Sequence, residues 1–107
     1  MQIITGFYYH YKHDPSGKIN NYAYEVLGVG SHTEKEETSP DKYVVVYRPL
    51  YEATSYRNDK MFDIRPLEMF LEQVEVKGVV MPRFRLISDN TVIGDLKKIK
   101  GEMYPKN

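Results

Sequence analysis

Two histidines and a glutamate are the residues of this sequence best suited to moving protons. His10 lies in the first strand-like run, and His32 and Glu34 follow a run that contains two glycines. Because histidine titrates near neutral pH, either imidazole could act as a general acid or base, with Glu34 as its orienting group. The alternative is that both histidines lie at the edge of the fold and bond to the backbone or to tyrosine hydroxyls. If their strands pair, the two imidazoles could approach each other.

Three arginines stand next to prolines at the ends of predicted strands. Arg48 and Arg65 each precede a proline, and Arg83 follows one. A guanidinium at such a position is suited to donate a pair of hydrogen bonds to a carboxylate or a phosphate. The alternative is a salt bridge inside the fold. The candidate acidic partners for Arg48 are Glu25, Glu68 and Glu72.

Aromatic residues are concentrated in the strand-forming segments. The chain has ten Tyr, four Phe and no Trp. Tyrosines interleaved with an arginine are typical of barrels that stack on bases, but an aromatic core with its hydroxyls at the rim gives the same pattern. The interleaved residues are Tyr9, Tyr11, Tyr24, Tyr47 and Arg48. The residues predicted to bind a ligand are Tyr9, His10, Tyr24, His32, Arg48, Arg65 and Arg83.

The sequence lacks the residues that several kinds of functional site require. Without cysteine there is no disulfide, no thiolate zinc site and no cysteine nucleophile. The three histidines have no ligand spacing, and His13 falls on the strand face opposite His10, so we expect neither a metal nor a cofactor. No helical pattern follows Gly28-Val29-Gly30, which argues against a phosphate-binding loop, and no serine lies in a nucleophile elbow.

Charge and hydropathy limit the partners and the location. Lys and Arg number 15, as do Asp and Glu, so the formal net charge is zero and does not support binding to nucleic acid. No run approaches the roughly 20 apolar residues of a membrane span. The segment Met1–Thr5 is short and lacks the basic start of a secretory signal. We therefore expect a cytoplasmic protein whose partner is an anionic ligand or another protein.

Alternating runs in the first half predict strands. In Gly6–His13, Phe7 and Tyr9 lie on one face while Tyr8 and His10 lie on the other. The long run from residue 22 to 34 contains two glycines, which predict a bend or a bulge. Residues 43–47 are apolar on both faces, as in a central strand.

The second half alternates less regularly. We predict a short strand over 61–65, one helical turn over 66–69, and a strand from about Phe70. Lys77-Gly78 reads as a two-residue hairpin turn, which would place Glu72 opposite Arg83. Val92-Ile93 could form another short strand. The apolar spacing of Leu96, Ile99 and Met103 predicts a short helix near the C-terminus.

These elements predict a mainly β fold. About five short strands joined by turns favour a small SH3-like barrel, or alternatively an OB-like one, with a short helical turn and a C-terminal helix. We interpret residues 1–107 as a single domain, with a core over about 6–87 and a C-terminal extension over 88–107.

A set of short motifs, in order along the chain, is similar to that of a known family. They are Tyr9-His10-Tyr11-Lys12, Tyr24-Glu25-Val26-Leu27-Gly28-Val29, His32-Thr33-Glu34, Val45-Val46-Tyr47-Arg48-Pro49-Leu50-Tyr51, Arg65-Pro66-Leu67-Glu68-Met69-Phe70 and Pro82-Arg83-Phe84. Together they resemble a bacterial family of short domains of unknown function, number 1653, over roughly residues 6–87. The resemblance implies the boundaries of the fold and brings no activity with it.

Three functions are compatible with these residues. The leading hypothesis is a non-catalytic module that binds an anionic ligand such as a nucleotide, a nucleic-acid segment or a peptide. The second is a small enzyme, for example a hydrolase, that uses His10 or His32 with Glu34 and an arginine. The third is an interaction domain or a homodimer formed through a strand edge.

Overall fold

Residues 3–105, which the computed structural model describes, form seven strands and three helices. The strands are β1 (Gly6–His10), β2 (Ala23–Ser31), β3 (Tyr43–Pro49), β4 (Asp63–Pro66), β5 (Gln73–Val76), β6 (Val79–Pro82) and β7 (Phe84–Leu86). The helices are α1 (Thr54–Arg57), α2 (Leu67–Phe70) and α3 (Asn90–Met103). The predicted mainly β class is confirmed.

Five strands form one antiparallel sheet in the order β4-β3-β2-β1-β7, and β5 pairs with β6 in a separate hairpin. The register between β2 and β3 shifts after Val26, so that Leu27 is skipped and Gly28 pairs with Val46. This irregularity lies where the two glycines predicted a bend or a bulge. It separates the first part of β2, which pairs with both β1 and β3, from the second part, which pairs with β3.

The two edges of this sheet, β4 and β7, meet through their side chains. No hydrogen-bonded ladder joins them within residues 3–105, so closure into an SH3-like or OB-like barrel is not confirmed. However, the guanidinium of Arg65 on β4 lies 5.5 Å from the ring centre of Phe84 on β7. In a flat five-stranded sheet the edge strands would be about 19 Å apart, because neighbouring strands are about 4.8 Å apart. The sheet is therefore strongly curled.

Each face of the curled sheet carries a hydrophobic core. The inner face, on the concave side, buries Tyr8, Val26, Val45, Tyr47, Phe70 and Phe84. The outer face, on the convex side, buries Phe7, Tyr9, Ala23, Leu50 and Ile87 together with Leu96 of α3. The predicted alternation of β1 is confirmed, because Phe7 and Tyr9 belong to one core and Tyr8 to the other.

The β5–β6 hairpin turns as its sequence predicted. Lys77 and Gly78 both have positive φ angles, of 51° and 81°. Two such residues between antiparallel strands match the twist of a hairpin. The pairing of Gln73 with Pro82 continues into a hydrogen bond from the Arg83 N–H to the Glu72 carbonyl. Glu72 therefore lies opposite Arg83, as expected.

The C-terminal segment forms one helix, α3, and its described part, residues 88–105, contains no strand. Asp89 caps α3, since its side chain accepts hydrogen bonds from the backbone N–H groups of Thr91 and Val92. The expectation of a strand at Val92-Ile93 is wrong, because both residues lie in the first turns of α3 and pack on the outer core. Across the described part of the chain, no helix has the length and apolar character needed to cross a membrane.

Several predicted boundaries move by a few residues. The first strand ends at His10 instead of His13, and the second ends at Ser31. The strand expected from about Phe70 begins at Gln73, after the predicted helical turn. The short α1 lies in a segment for which no helix was predicted.

Truncating the contact between α3 and the sheet tests whether the helix is part of the folded core. Leu96 is fully buried, with 0 % of its surface exposed. We expect Leu96→Ala to lower the free energy of unfolding by about 3 kcal/mol, through lost transfer energy and the cavity left behind. Urea denaturation followed by circular dichroism measures this. Lys98→Ala, at an exposed position of the same helix, is the control, and equal effects of both changes would contradict the packing described.

Candidate functional site

The inner face gathers a histidine, an arginine and several aromatic rings near one end of the curled sheet. We call this set the inner cluster. Its members are His10, Tyr22, Tyr24, Tyr47, Tyr51, Arg65 and Phe84. Four of them, namely His10, Tyr24, Tyr47 and Arg65, come from four successive strands of the sheet, because alternation sends these side chains to the same side.

Arg65 is the cation of this cluster. Its Nε donates a hydrogen bond to the Tyr47 hydroxyl at 3.3 Å, and its guanidinium lies over the Phe84 ring. Within residues 3–105, no carboxylate lies within salt-bridge distance of it. The terminal nitrogens of this half-buried side chain therefore remain available as hydrogen-bond donors.

His10 lies next to Arg65 on the same aromatic ring. Its imidazole packs edge-on against Phe84, with ring centres 5.0 Å apart, and near-parallel to Tyr22 at 5.7 Å. Burial, together with the nearby cations Arg65, Lys12 and Arg83, lowers the pKa of His10 to about 4. His10 is therefore neutral at pH 7.

The backbone determines which nitrogen of the neutral imidazole carries the proton. The N–H of Lys12 donates to Nδ1 of His10 at 3.2 Å. Because Nδ1 accepts this bond, the single proton belongs on Nε2. His10 thus adds an uncharged donor to the charged donors of Arg65.

Two tyrosine hydroxyls in the inner cluster bond to each other. The hydroxyls of Tyr24 and Tyr51 are hydrogen-bonded, and the ring of Tyr51 lies 5.6 Å from that of Tyr22. Burial raises the pKa of Tyr24, and its hydrogen bond with Tyr51 raises it further. Both hydroxyls are thus uncharged donors or acceptors, so neither repels an anion.

Arg48 lies on the outer face, away from the inner cluster. Its Nε donates to Glu25 Oε1 at 2.9 Å, and its guanidinium lies 4.0 Å from the centre of the Tyr104 ring. The second oxygen of Glu25 accepts a bond from Lys100 of α3 at 2.6 Å. The expected internal salt bridge is found with Glu25, one of the three predicted partners. Arg48 and Arg65 do not converge.

Arg83 is also paired. It donates to Glu72 Oε1 at 2.9 Å and to the Met69 carbonyl at 3.2 Å. The positive charge of Arg83 is close enough to His10 to lower the pKa of that imidazole. Of the three strand-end arginines, Arg65 alone has no carboxylate partner among residues 3–105.

His32, Glu34 and Tyr9 lie outside the inner cluster. The exposed His32 and Glu34 follow the far end of β2, and all of that strand separates them from His10. The expectation that the two imidazoles approach each other is therefore wrong. The ring of Tyr9 lies on the outer face, stacked on His13 with 3.5 Å between ring centres. Across the described residues, no group of three His, Cys, Asp or Glu side chains is arranged to hold a metal.

Sequence reasoning missed three members of the inner cluster, Tyr22, Tyr51 and Phe84. Tyr51 and Phe84 each end a motif that the chain shares with the family it resembles. Tyr22 has a φ of 52°, in the left-handed region that a bulky residue rarely adopts. The preceding Asn20-Asn21 pair is a turn signal that could have drawn attention to this position.

Comparison with known proteins gives a family and a fold. The model of the family described as "Protein of unknown function (DUF1653)" matches residues 6–86. A crystal structure of a DUF1653 protein from Bordetella bronchiseptica is 28 % identical, with 80 % of this chain and 88 % of that chain covered and a TM-score of 0.58. No curated protein matches the sequence.

The Arg48–Glu25 pair and the Arg83–Glu72 pair form a matched test of burial. Only 12 % of the Glu25 side chain is exposed, compared with 55 % for Glu72. We expect Glu25→Gln to lower the free energy of unfolding by about 3 kcal/mol, because Arg48 is left without its counter-charge. Glu72→Gln should cost less than about 1 kcal/mol. Urea denaturation of both variants gives the comparison, and similar losses would contradict the assigned burial.

The titration of His10 tests the electrostatics of the inner cluster. NMR titration of the imidazole protons should give a pKa of about 4 for His10. Arg65→Met should raise this value, because a nearby positive charge is removed, while burial keeps it below 6.5. Arg85→Met, on the outer face above Tyr9, is the control and should leave it unchanged.

The lowered pKa of His10 also makes the stability of the folded state depend on pH. Since the pKa of His10 is lower in the folded state, the unfolded chain binds the proton first as the pH falls. The contribution of His10 to stability is complete above about pH 6.5 and declines toward pH 4. An unshifted His10 titration in the folded protein would contradict both statements.

Proposed function

Because the chain belongs to DUF1653, a family of proteins of unknown function, we propose from its geometry that it is a non-catalytic module that binds an anionic ligand at the inner cluster. The observation that carries this proposal is Arg65. It is a half-buried guanidinium with no carboxylate partner among residues 3–105, next to a second hydrogen-bond donor on the same ring.

The other strand-end arginines support this assignment by contrast. Arg48 and Arg83 are each neutralised by a glutamate at 2.9 Å, as a partly buried charge requires. Among residues 3–105, the partners of the Arg65 guanidinium are the Tyr47 hydroxyl and the Phe84 ring, and neither carries a negative charge. An oxyanion from solution would supply the missing counter-charge and accept from the free terminal nitrogens.

The surroundings of His10 favour binding over proton transfer. A general base works best with a pKa near the working pH, whereas that of His10 is about 4. Within residues 3–105, no carboxylate lies within salt-bridge distance to orient it, and Glu34 is at the other end of β2. As a neutral imidazole with a low pKa, however, His10 can donate a hydrogen bond to an oxyanion without taking a proton from it.

The curl of the sheet supports the SH3-like barrel as the finer description of the fold. Contact between Arg65 of β4 and Phe84 of β7 brings the two sheet edges together around one core. The Leu27 irregularity allows β2 to belong to both halves of such a barrel. The absence of cysteine fits a reducing compartment, so the cytoplasm is the proposed location.

A phosphate titration tests the proposed site. We expect saturable NMR shifts at His10 and Arg65 when sodium phosphate is added at constant pH and ionic strength. Arg65→Met should weaken this binding at least tenfold, because charge-assisted hydrogen bonds contribute about 1.5–3 kcal/mol. Arg85→Met is the matched control and should bind like the wild type. Shifts that never saturate, or that survive Arg65→Met unchanged, would rule the site out.

A further inference from the structure

We propose that the anion bound at the inner cluster carries a planar aromatic ring, as a free mononucleotide does, and that Tyr22 stacks on this ring. The inference rests on the proposed anion site and adds to it the class of ligand. Three observations support it: the backbone of Tyr22, the exposure of its ring, and its position beside the donors.

Tyr22 is held in a conformation that is unfavourable for a tyrosine. Its φ of 52° lies in the left-handed region, where a side chain with a Cβ meets steric strain. The surrounding backbone maintains it, since His10 N–H donates to the Tyr22 carbonyl at 3.0 Å and Ala23 N–H donates to the Asn20 carbonyl at 3.1 Å. The strained turn therefore holds this ring in place beside His10.

The strain is not explained by packing in the core. Tyr22 is 37 % exposed, whereas Tyr8, Tyr9 and Tyr47 are only 5–7 % exposed. A tyrosine that packs in the core would be as buried as those three residues. An exposed ring in a defined position is instead suited to stacking on a planar group from solution.

The anion donors and the exposed ring form a continuous row of contacts. Arg65 and His10 both contact Phe84, and His10 contacts Tyr22. A ligand whose anionic group lies on Arg65 and His10 would therefore have Tyr22 within reach of its remaining part.

The charges favour a free nucleotide over a nucleic-acid chain. A chain is bound through a series of phosphate contacts along a basic groove. Here the formal net charge is zero, and of the three strand-end arginines only Arg65 lacks a carboxylate partner among residues 3–105. The single guanidinium of the inner cluster matches one phosphate group.

The test compares ligands with and without the ring. The full chain is titrated with adenosine 5′-monophosphate and with ribose 5-phosphate, and binding is followed by NMR. We expect the nucleotide to bind about tenfold more tightly, because stacking of a base on an aromatic side chain adds affinity. Both ligands should weaken at least tenfold in Arg65→Met, since both use the anion site.

The variant Tyr22→Asn isolates the contribution of the ring. Asparagine tolerates a positive φ, so the turn is retained without the aromatic group. We expect the nucleotide to lose about tenfold in affinity and ribose 5-phosphate to be unaffected, while Tyr22→Phe binds both as the wild type does. Tyr43→Asn, at an exposed tyrosine beside the other end of β2, is the matched control and should change neither affinity.

Each outcome separates this inference from the anion site itself. Equal affinities for the two ligands would overturn the role of Tyr22 and leave the anion site standing. Binding of neither ligand would overturn both proposals. Affinity for a ten-nucleotide single strand far above that for the mononucleotide would overturn the assignment of a free nucleotide in favour of a nucleic-acid chain.

Discussion

The ring of Phe84 is the contact on which the curled sheet depends. It stacks on Phe70 of α2 with 4.2 Å between ring centres, and it also contacts Tyr24 of β2 and Tyr47 of β3. Arg65 of β4 reaches it from the opposite edge of the sheet. His10 of β1 packs against it as well. One side chain from a three-residue strand thus contacts all four of the other strands of the sheet, and the position of His10 beside Arg65 follows from this packing.

Register and alternation together decide which arginine faces the inner cluster. Arg48 lies opposite Glu25 on the outer face, where Lys100 joins them. Arg65 lies opposite Val45 and therefore shares the inner face with Tyr47. Two residues with the same local motif, an arginine before a proline, thus have different roles because their strands present them to opposite faces.

Local patterns in the sequence predicted the strands, the faces of β1, the irregularity near Gly28 and the Lys77-Gly78 turn. These features depend on neighbouring residues alone. The separation of His10 from His32 depends on the register of whole strands, which short motifs do not contain. Val92-Ile93 was ambiguous because two adjacent apolar residues suit a strand or a helix face, and the cap at Asp89 favours the helix. The backbone of Tyr22 is also held by a hydrogen bond from the His10 N–H of β1, and local sequence does not show this pairing.

The pairing of β1 with β7 also determines when the domain can fold during its synthesis. Residues 6–10 form the first strand, but their partner on one side is Phe84–Leu86. The ribosome adds residues from the N-terminus onward at about 5–20 per second, so β1 waits several seconds for this partner. During that interval one edge of β1 is open. The hairpins β1–β2 and β2–β3, which need only shorter loops, can form earlier and shelter the aromatic residues until β7 completes the sheet.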